Sequence, residues 1–246
     1  MMGEFALKKI KVVLIGAGNR GIIYTDIMAE MSDKFEVVAV AEPIASRREY
    51  IKEKHSISED MCFDDWAPLF QKGKIADMAI IATMDRDHYN PSMKAIELGY
   101  DLLLEKPISD NPEECKNIAK AADEAGVKVV ICTVLRYTPF FMRLKEIITD
   151  GELGDIISVD HKECVGNIHQ SHSFVRGNWG NEERSSCMLL QKCCHDMDII
   201  QWLIDKPLKR VQSYGTLSHF TKENAPAGSP DYCIDGCPEA DTCFYN

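Results

Sequence analysis

The stretch Val12-Val13-Leu14-Ile15-Gly16-Ala17-Gly18-Asn19-Arg20-Gly21 lies close to the N-terminus and decides the fold class. A short apolar run leads into a glycine-rich turn, and the apolar residues after the turn have helical spacing. The stretch therefore predicts a strand, a phosphate-binding loop and a helix whose N-terminus points at the phosphates. Gly16 permits the tight turn, Gly18 lets the backbone approach a pyrophosphate, and Gly21 packs the helix on the strand.

The second apolar run, residues 35–41, ends in an acidic residue, Glu42. Glu42 lies about two dozen residues past the glycines, where a carboxylate binds the adenosine ribose hydroxyls. An acid at this position repels a 2′-phosphate, so the sequence favours NAD over NADP. Arg47 and Arg48 follow closely and could bind that phosphate, which keeps NADP open. The alternative is that Glu42 is a surface acid capping the helix that starts near Pro43.

Composition restricts the classes of fold and partner. The chain has 246 residues, of which 45% are hydrophobic, so one large or two modest folded domains are expected. Its net charge of −11 disfavours nucleic acid and anionic membranes as partners. No apolar run reaches membrane-spanning length and residues 1–5 lack a signal-peptide pattern, so a cytoplasmic location is expected.

Apolar runs alternate with amphipathic stretches as far as about residue 132, which predicts a doubly wound parallel sheet of the α/β class. The predicted strands are 11–15, 36–41, 78–82, 101–104 and 127–132, and the predicted helices are 19–31, 44–54, 87–98 and 111–125. Ligands of such sheets bind at the carboxyl ends of the strands. We therefore expect a dinucleotide-binding Rossmann domain over residues 1–133.

The pattern changes in residues 134–246, which are expected to form a smaller α+β domain for substrate binding and oligomerisation. A helix is predicted at 139–149, a strand at 156–164, a long loop at 165–186, a helix at 188–204 and a strand at 208–219. Long polar loops such as 165–186 are commonly functional.

Two later segments place polar residues directly after predicted strands. Ala82-Thr83 with His88 follows one strand, and Glu105-Lys106-Pro107 follows the buried run Leu102-Leu103-Leu104. Because the carboxyl ends of parallel strands meet at one edge of a sheet, Lys106 is expected to lie over a bound nicotinamide. The alternative is an ordinary surface lysine.

Taken in order, these segments resemble one family of enzymes. The glycine loop, Glu42, Thr83 with His88, the Glu-Lys-Pro tripeptide, Arg136-Tyr137 and the segment His195-Asp196-Met197-Asp198 resemble the Gfo/Idh/MocA oxidoreductases over nearly the whole chain. The resemblance implies a Rossmann domain, a second domain with an open, mostly antiparallel sheet, and NAD(P)-dependent chemistry on sugars, cyclitols and related polyols. The expected cofactor contacts are Gly16, Gly18, Asn19, Arg20, Gly21, Glu42, Thr83, His88, Glu105 and Lys106.

Oxidation of a secondary alcohol needs a group that takes the hydroxyl proton while a hydride leaves the carbon. Lys106 can hold the oxygen and relay its proton. His195 is a candidate base because histidine titrates near neutrality, and Lys192 lies one helical turn before it on the same face. The predicted catalytic residues are therefore Lys106, His195 and Lys192. The alternative is that His195 is a structural residue bonded to Asp196 or Asp198.

The chain departs from the family pattern at Gln191, where many members carry an aspartate four residues before the histidine. The carboxylate role is therefore vacant, or taken by another group such as Lys192. Two other functions stay open. An NAD-dependent glycosidase would oxidise its substrate transiently, eliminate the glycoside and regenerate NAD. A truncated, non-catalytic protein would only bind the dinucleotide.

The candidate substrate contacts are polar or aromatic residues of the second domain: Tyr137, His172, Arg176, Asn178 and Trp179. Trp179 can stack on a sugar face, and the polar side chains can bond hydroxyls or a carboxylate. The alternative is that this loop packs on the second sheet, with Phe174 and Trp179 as its anchors.

Ten cysteines are many for a chain without a secretion pattern, and no disulfide framework is expected. Cys233, Cys237 and Cys243 lie close together and could bind zinc with a fourth ligand such as His219. Their spacing is not that of a standard zinc pair. The sequence therefore favours reduced thiols in an irregular loop and predicts no metal site.

Members of the family are usually longer, with several more strands after the cysteine-bearing region. The second domain is therefore expected to be incomplete, with an open sheet edge that a partner subunit could cover. Because members commonly associate through that sheet, a homo-oligomer is expected. The expected small-molecule partner is a carbohydrate or cyclitol.

Overall fold

The computed structural model describes residues 8–245, so residues 1–5, considered above for a signal peptide, lie outside it. The chain divides into two compact units, the first ending at Cys132 and the second beginning at Thr133. The strands are β1 (Ile10–Ile15), β2 (Phe35–Ala41), β3 (Cys62–Phe63), β4 (Met78–Ile81), β5 (Asp101–Leu104) and β6 (Val129–Ile131). The helices of the first unit are α1 (Asn19–Glu30), α2 (Ala45–His55), α3 (Trp66–Gln71), α4 (Tyr89–Glu97) and α5 (Pro112–Ala125).

The six strands form one parallel sheet in the order β3-β2-β1-β4-β5-β6. The predicted doubly wound α/β architecture is therefore confirmed for the first unit. The strand order reverses between β1 and β4, and this switch point opens a crevice at the carboxyl ends of the strands.

Both faces of the sheet are buried, because successive side chains of a strand point to opposite faces. Val13 and Ile15 of β1 belong to one apolar cluster, which includes side chains of α3, α4 and α5. Val12 and Leu14 belong to the other, together with Ile51 of α2. All four β1 side chains are at most 1% exposed, which anchors the glycine loop that follows β1.

Two short elements were missed by the sequence analysis. Strand β3 has only two residues and helix α3 only six, so neither shows a hydrophobic period. Asp65 caps α3, since its side chain accepts a hydrogen bond from the backbone N–H of Trp66. These elements form one wall of the crevice beside β2.

The second unit contains α6 (Pro139–Thr149), α7 (Asn167–His169), α8 (Met188–Gln191) and α9 (Cys194–Ile204). The predicted helix at 139–149 is confirmed. The predicted strands at 156–164 and 208–219 are wrong, because no strand forms among the described residues after β6. A strand needs a neighbour to complete its backbone hydrogen bonds, and these segments have none in the part of the chain described. Ile157 and Tyr214 are accordingly 90% and 91% exposed.

Two further predictions for the second unit need correction. The helix predicted at 188–204 is interrupted at Lys192 and Cys193, which separates α8 from α9. The loop predicted at 165–186 contains α7 and a π-helical turn, Gln170–Val175. Among residues 8–245, no helix is long and apolar enough to cross a membrane.

Candidate functional site

The glycine loop joins β1 to α1, and its glycines are spaced Gly-x-Gly-x-x-Gly. Gly16 has a φ of +90°, and a Cβ there would lie 2.6 Å from the carbonyl oxygen of Ala82. A Cβ on Gly21 would lie 2.1 Å from the carbonyl oxygen of Gly16. Both contacts are too close for any side chain, so these glycines let the loop close against β4 and α1.

The loop has open space on the side where a pyrophosphate would bind. A Cβ built on Gly18 would meet no atom within 4 Å, and Gly18, as the N-cap residue of α1, makes no side-chain cap there. The first N–H groups of a helix have no partner within the helix and favour an anion there. Across the crevice, Oγ1 of Thr83 is buried without a hydrogen-bond partner among the described residues. These features fit a bound dinucleotide.

Glu42 is buried at the end of β2, with only 4% of its surface exposed. Its Oε2 accepts a hydrogen bond from the backbone N–H of Ala17 at 2.6 Å, and its Oε1 accepts one from Ile44 at 3.0 Å. The carboxylate therefore ties β2 to the glycine loop and is not the surface acid considered as the alternative. The Arg48 guanidinium donates to the backbone carbonyl of Glu42.

A cavity of about 360 Å³ lies at the switch point, next to the glycine loop. Its lining residues come from the loops after β1, β2, β3 and β4, and include Gly16, Pro43, Asp64, Trp66 and Thr83. Sequence analysis missed Asp64 and Trp66, because they follow the two-residue strand β3. A larger groove of about 660 Å³ between α4 and α5 contains none of the predicted site residues.

Lys106 follows β5, beside a buried carboxylate. Glu105 is 5% exposed, and its Oε2 accepts a hydrogen bond from the backbone N–H of Lys106 at 3.0 Å. Its Oε1 accepts a hydrogen bond from the Tyr24 hydroxyl and lies 3.9 Å from Nε of Arg20. Helix α1 therefore follows the glycine loop and contacts Glu105, the residue before Lys106, through Arg20 in its first turn and Tyr24 in its second.

Burial dominates the proton affinities in this cluster. The pKa of Tyr24 lies well above its ordinary value. Burial is the main cause, and hydrogen bonds with Cys132 and Glu105 add to it. Burial raises the pKa of Cys132 to about 12. Both groups are therefore protonated at neutral pH, so Tyr24 donates its hydrogen bond to the Glu105 carboxylate.

His88 is 1% exposed and lies between two loops. Its Nδ1 lies 2.7 Å from the carbonyl oxygen of Pro107, and its Nε2 lies 3.3 Å from that of Thr83. The ring thus connects the loop after β4 to the loop that carries Lys106. These two contacts are with protein backbone, whereas the sequence predicts a contact of His88 with the cofactor.

In the second unit, Lys192 follows α8 in the break before α9, and His195 is the second residue of α9, whereas the sequence predicted both on one continuous helix. The backbone N–H of His195 donates to the carbonyl of Lys192 at 3.3 Å, which closes a turn and keeps the two residues adjacent. Nζ of Lys192 forms a 2.9 Å ion pair with Oε1 of Glu163. Nε2 of His161 donates to Oδ1 of Asp196 at 2.6 Å. Sequence analysis missed Glu163 and His161, since their segment was assigned to a sheet.

The Arg136 and Asp198 of the family motif also meet. Nε and Nη2 of Arg136 donate to the two carboxylate oxygens of Asp198 at 2.7 and 2.5 Å, a bidentate pair. This hydrogen bonding raises the pKa of Arg136 above its ordinary value. The two acids considered as structural partners of His195 are thus engaged by His161 and Arg136.

The predicted substrate residues of the 167–180 region are partly brought together. Nη2 of Arg176 donates to Nε2 of His172 at 3.1 Å, and its Nη1 lies 3.3 Å from Sγ of Cys233. The rings of Phe174 and Trp179 pack at a centroid distance of 6.3 Å. Asn178 is exposed in the same loop, and Tyr137 lies apart from it, 65% exposed, in a 3₁₀ turn before α6. Phe174 and Trp179 thus anchor the loop on itself.

All ten cysteines are free thiols. Within residues 8–245, no three His, Cys, Asp or Glu side chains are arranged to hold a metal ion.

Comparison with protein families gives two matches that together cover most of the chain. Residues 10–133 match the Gfo/Idh/MocA model described as "Oxidoreductase family, NAD-binding Rossmann fold". Residues 141–234 match the model described as "GFO/IDH/MocA C-terminal domain". The boundary between the two matches falls near the division between the two units.

Two curated relatives carry names that indicate different functions. Inositol 2-dehydrogenase of Salmonella typhimurium is 25% identical over 206 residues, which are 83% of this chain and 57% of that protein. The galactose/lactose metabolism regulatory protein GAL80 of Saccharomyces cerevisiae is 26% identical over 204 residues, 80% of this chain and 44% of that protein. The chain spans about half the length of these relatives.

Among solved structures, scyllo-inositol dehydrogenase from Lactobacillus casei with bound NAD(H) and scyllo-inositol has a TM-score of 0.68 and 21% identity. The similarity covers 80% of this chain and 57% of that one. It establishes a common fold.

Proposed function

Because the chain belongs to the Gfo/Idh/MocA oxidoreductase family, whose NAD-binding Rossmann fold occupies half of it, we propose that it is an NAD-dependent dehydrogenase of a sugar, cyclitol or related polyol. The observation that carries this proposal is that three predicted cofactor contacts follow strands of one parallel sheet in the first unit. The glycine loop, which has open space at Gly18, follows β1, the Glu42 carboxylate follows β2, and Lys106 follows β5.

Each part of the cofactor has a proposed contact in the first unit. The loop from Gly16 to Gly21 and the N-terminus of α1 would hold the pyrophosphate. Glu42 uses one acceptor position on each carboxylate oxygen, and a carboxylate has about four, so it can also accept from ribose hydroxyls. The negative charges of Glu42 and Asp64 oppose a 2′-phosphate, which supports a preference for NAD.

The reaction requires separate handling of a hydride and a proton. Bound nicotinamide supplies the hydride acceptor. The substrate carbon loses a hydride, its hydroxyl loses a proton, and a carbonyl remains. Lys106, which follows β5, is proposed to bind the substrate oxygen. His195 is proposed to accept the proton, and Lys192 in the adjoining turn to steer polar groups of the substrate.

The test is calorimetric titration of the purified chain with NAD⁺ and NADP⁺, beside Glu42→Gln. We expect NAD⁺ to bind more tightly than NADP⁺ and this preference to fall about tenfold in the variant, since about 1.4 kcal/mol corresponds to tenfold. Glu36→Gln, at the opposite end of β2, is the matched control and should leave the preference unchanged. Absence of NAD⁺ binding would reject the proposal.

Turnover is measured as NADH formation with scyllo-inositol, myo-inositol and a panel of sugars. Loss of activity in Lys106→Met and His195→Gln with retained NAD⁺ binding supports their roles. Release of a sugar from a glycoside without net NADH would instead identify the oxidation–elimination reaction.

A second candidate is a dinucleotide-binding regulator without turnover, favoured by the similarity to GAL80, which is named as a regulatory protein. NAD⁺ binding without activity on any cyclitol or sugar would favour it.

A further inference from the structure

The second unit contains a cluster of charged side chains around the first turn of α9, which the proposed function uses only in part. Residues 161 and 163 are two apart in an extended segment, and both contact this turn. His161 binds Asp196 at 2.6 Å, and Glu163 binds Lys192 at 2.9 Å. These two contacts dock the segment against the turn that carries His195.

Glu163 is the acidic member of this cluster that pairs with a proposed catalytic residue. Its side chain is 39% exposed, and that of Lys192 is 21% exposed, so the pair is partly shielded from solvent. The hydrogen bond from Lys192, together with the charges of Lys192, His161 and His195, lowers the pKa of the Glu163 carboxyl against the opposing effect of burial. Glu163 is therefore an anion in the electrostatic environment of His195.

We propose that Glu163 is a positioning residue of the dehydrogenase site, which holds the Lys192 ammonium beside His195 and stabilises the imidazolium that forms when His195 takes the hydroxyl proton. The inference rests on the proposed function for its chemistry. The proton moves from the substrate hydroxyl to the imidazole, and the hydride leaves the same carbon for the nicotinamide.

The charge balance explains why a carboxylate is needed at this position. Without Glu163, a protonated His195 would adjoin the Lys192 ammonium, and two neighbouring cations disfavour protonation of the imidazole. The other titratable or charged groups around this turn include Cys187, Cys193, Cys194, His161, Asp196, Asp198 and Arg136. Asp196 is bonded to His161 and Asp198 to Arg136, whereas Glu163 is the acid paired with Lys192.

The first experiment measures the ring titration of His195 by NMR in the whole chain and needs no substrate. The His195→Gln spectrum identifies the signal. Glu163→Gln should lower the pH midpoint of the His195 titration by about half a unit or more, since loss of a nearby opposite charge destabilises the cation. Lys192→Met should shift the midpoint in the opposite direction.

The matched control is Asp160→Asn, an acid in the same segment whose side chain is 77% exposed and paired with Lys162. It should leave the midpoint unchanged. An unchanged midpoint in folded Glu163→Gln, or an equal shift in Asp160→Asn, overturns the proposal. If Glu163→Gln does not fold, the proposal is tested by the His195 midpoint in two other variants. Lys192→Met should raise this midpoint, and Glu163→Asp should retain the wild-type value.

The second experiment follows the pH dependence of kcat with NAD⁺ and scyllo-inositol. Glu163→Gln should lower kcat about tenfold, move the acid limb to lower pH and leave KM for NAD⁺ unchanged, whereas Glu163→Asp should restore part of kcat. If the wild-type chain shows no turnover, the proposed function is rejected, but the proposal for Glu163 is not. The NMR titration, which needs no substrate, then decides whether Glu163 affects the protonation of His195.

Discussion

The hydroxyl of Tyr24 donates a hydrogen bond to Oε1 of Glu105, which joins helix α1 to the end of β5 across 81 residues of sequence. The same carboxylate accepts from the backbone of Lys106 through Oε2. The element that begins at the glycine loop therefore also fixes the backbone from which Lys106 projects.

Removal of this hydroxyl should cost stability. In Tyr24→Phe, the buried Oε1 of Glu105 loses the hydroxyl that donates to it, so we expect a loss of about 1–3 kcal/mol in the free energy of unfolding. Urea denaturation measures the change. Tyr50→Phe is the control, since the Tyr50 hydroxyl bonds an exposed carboxylate, that of Asp26, and should change stability by about 0.5 kcal/mol or less. Equal effects would contradict the buried contact.

Two glycines of the loop should respond differently to alanine. Gly18→Ala meets no atom within 4 Å and has an ordinary φ of −71°, so stability should change by about 1 kcal/mol or less. Its methyl group would nevertheless fill the space proposed for the pyrophosphate, and NAD⁺ affinity should fall tenfold or more (about 1.4 kcal/mol). Gly21→Ala should lose about 2–4 kcal/mol of stability, because its Cβ would collide with the Gly16 carbonyl. Unfolding curves and calorimetry separate the two effects.

The Arg136–Asp198 pair should stabilise α9. Lysine cannot reproduce a bidentate contact, so Arg136→Lys should cost about 1 kcal/mol and increase hydrogen exchange in α9. In Arg143→Lys, the affected pair with Glu146 has side chains 60% and 58% exposed, so stability should stay close to that of the unchanged protein. Unchanged exchange in α9 of Arg136→Lys would show that this helix does not depend on the pair.

The cysteines should differ in reactivity at pH 8. Because burial raises the pKa of Cys132 to about 12, its thiolate is scarce below that pH and becomes abundant only above it. Iodoacetamide should therefore modify the exposed thiols Cys164, Cys187 and Cys233 well before Cys132. Mass spectrometry of peptides measures the order. Early modification of Cys132 in the folded protein would contradict its burial.

The sequence predicted the first unit well because its strands are apolar runs long enough to show a pattern, such as Val12–Ile15 in β1 and Leu102–Leu104 in β5. It could not predict β3, since two residues carry no period. It also predicted strands at 156–164 and 208–219, where the described residues form none. Alternation indicates a strand only where a neighbouring strand completes the backbone hydrogen bonds.

The sequence predicted which residues belong to the candidate site better than it predicted their contacts with one another. The positions of Gly16, Glu42 and Lys106 after parallel strands follow from the βα alternation. The pairing of Lys192 with Glu163 does not, because it depends on how a segment without regular structure lies on a helix. The burial of His88 between two carbonyls is likewise a property of the folded chain.

The His88 ring links the loops after β4 and β5. Displacement of either loop would stretch the contact with Thr83 or with Pro107, so we expect the two loops to move together. The backbone at Lys106 is restrained by the same ring. The position of Lys106 therefore depends on the loop after β4 as well as on its own loop.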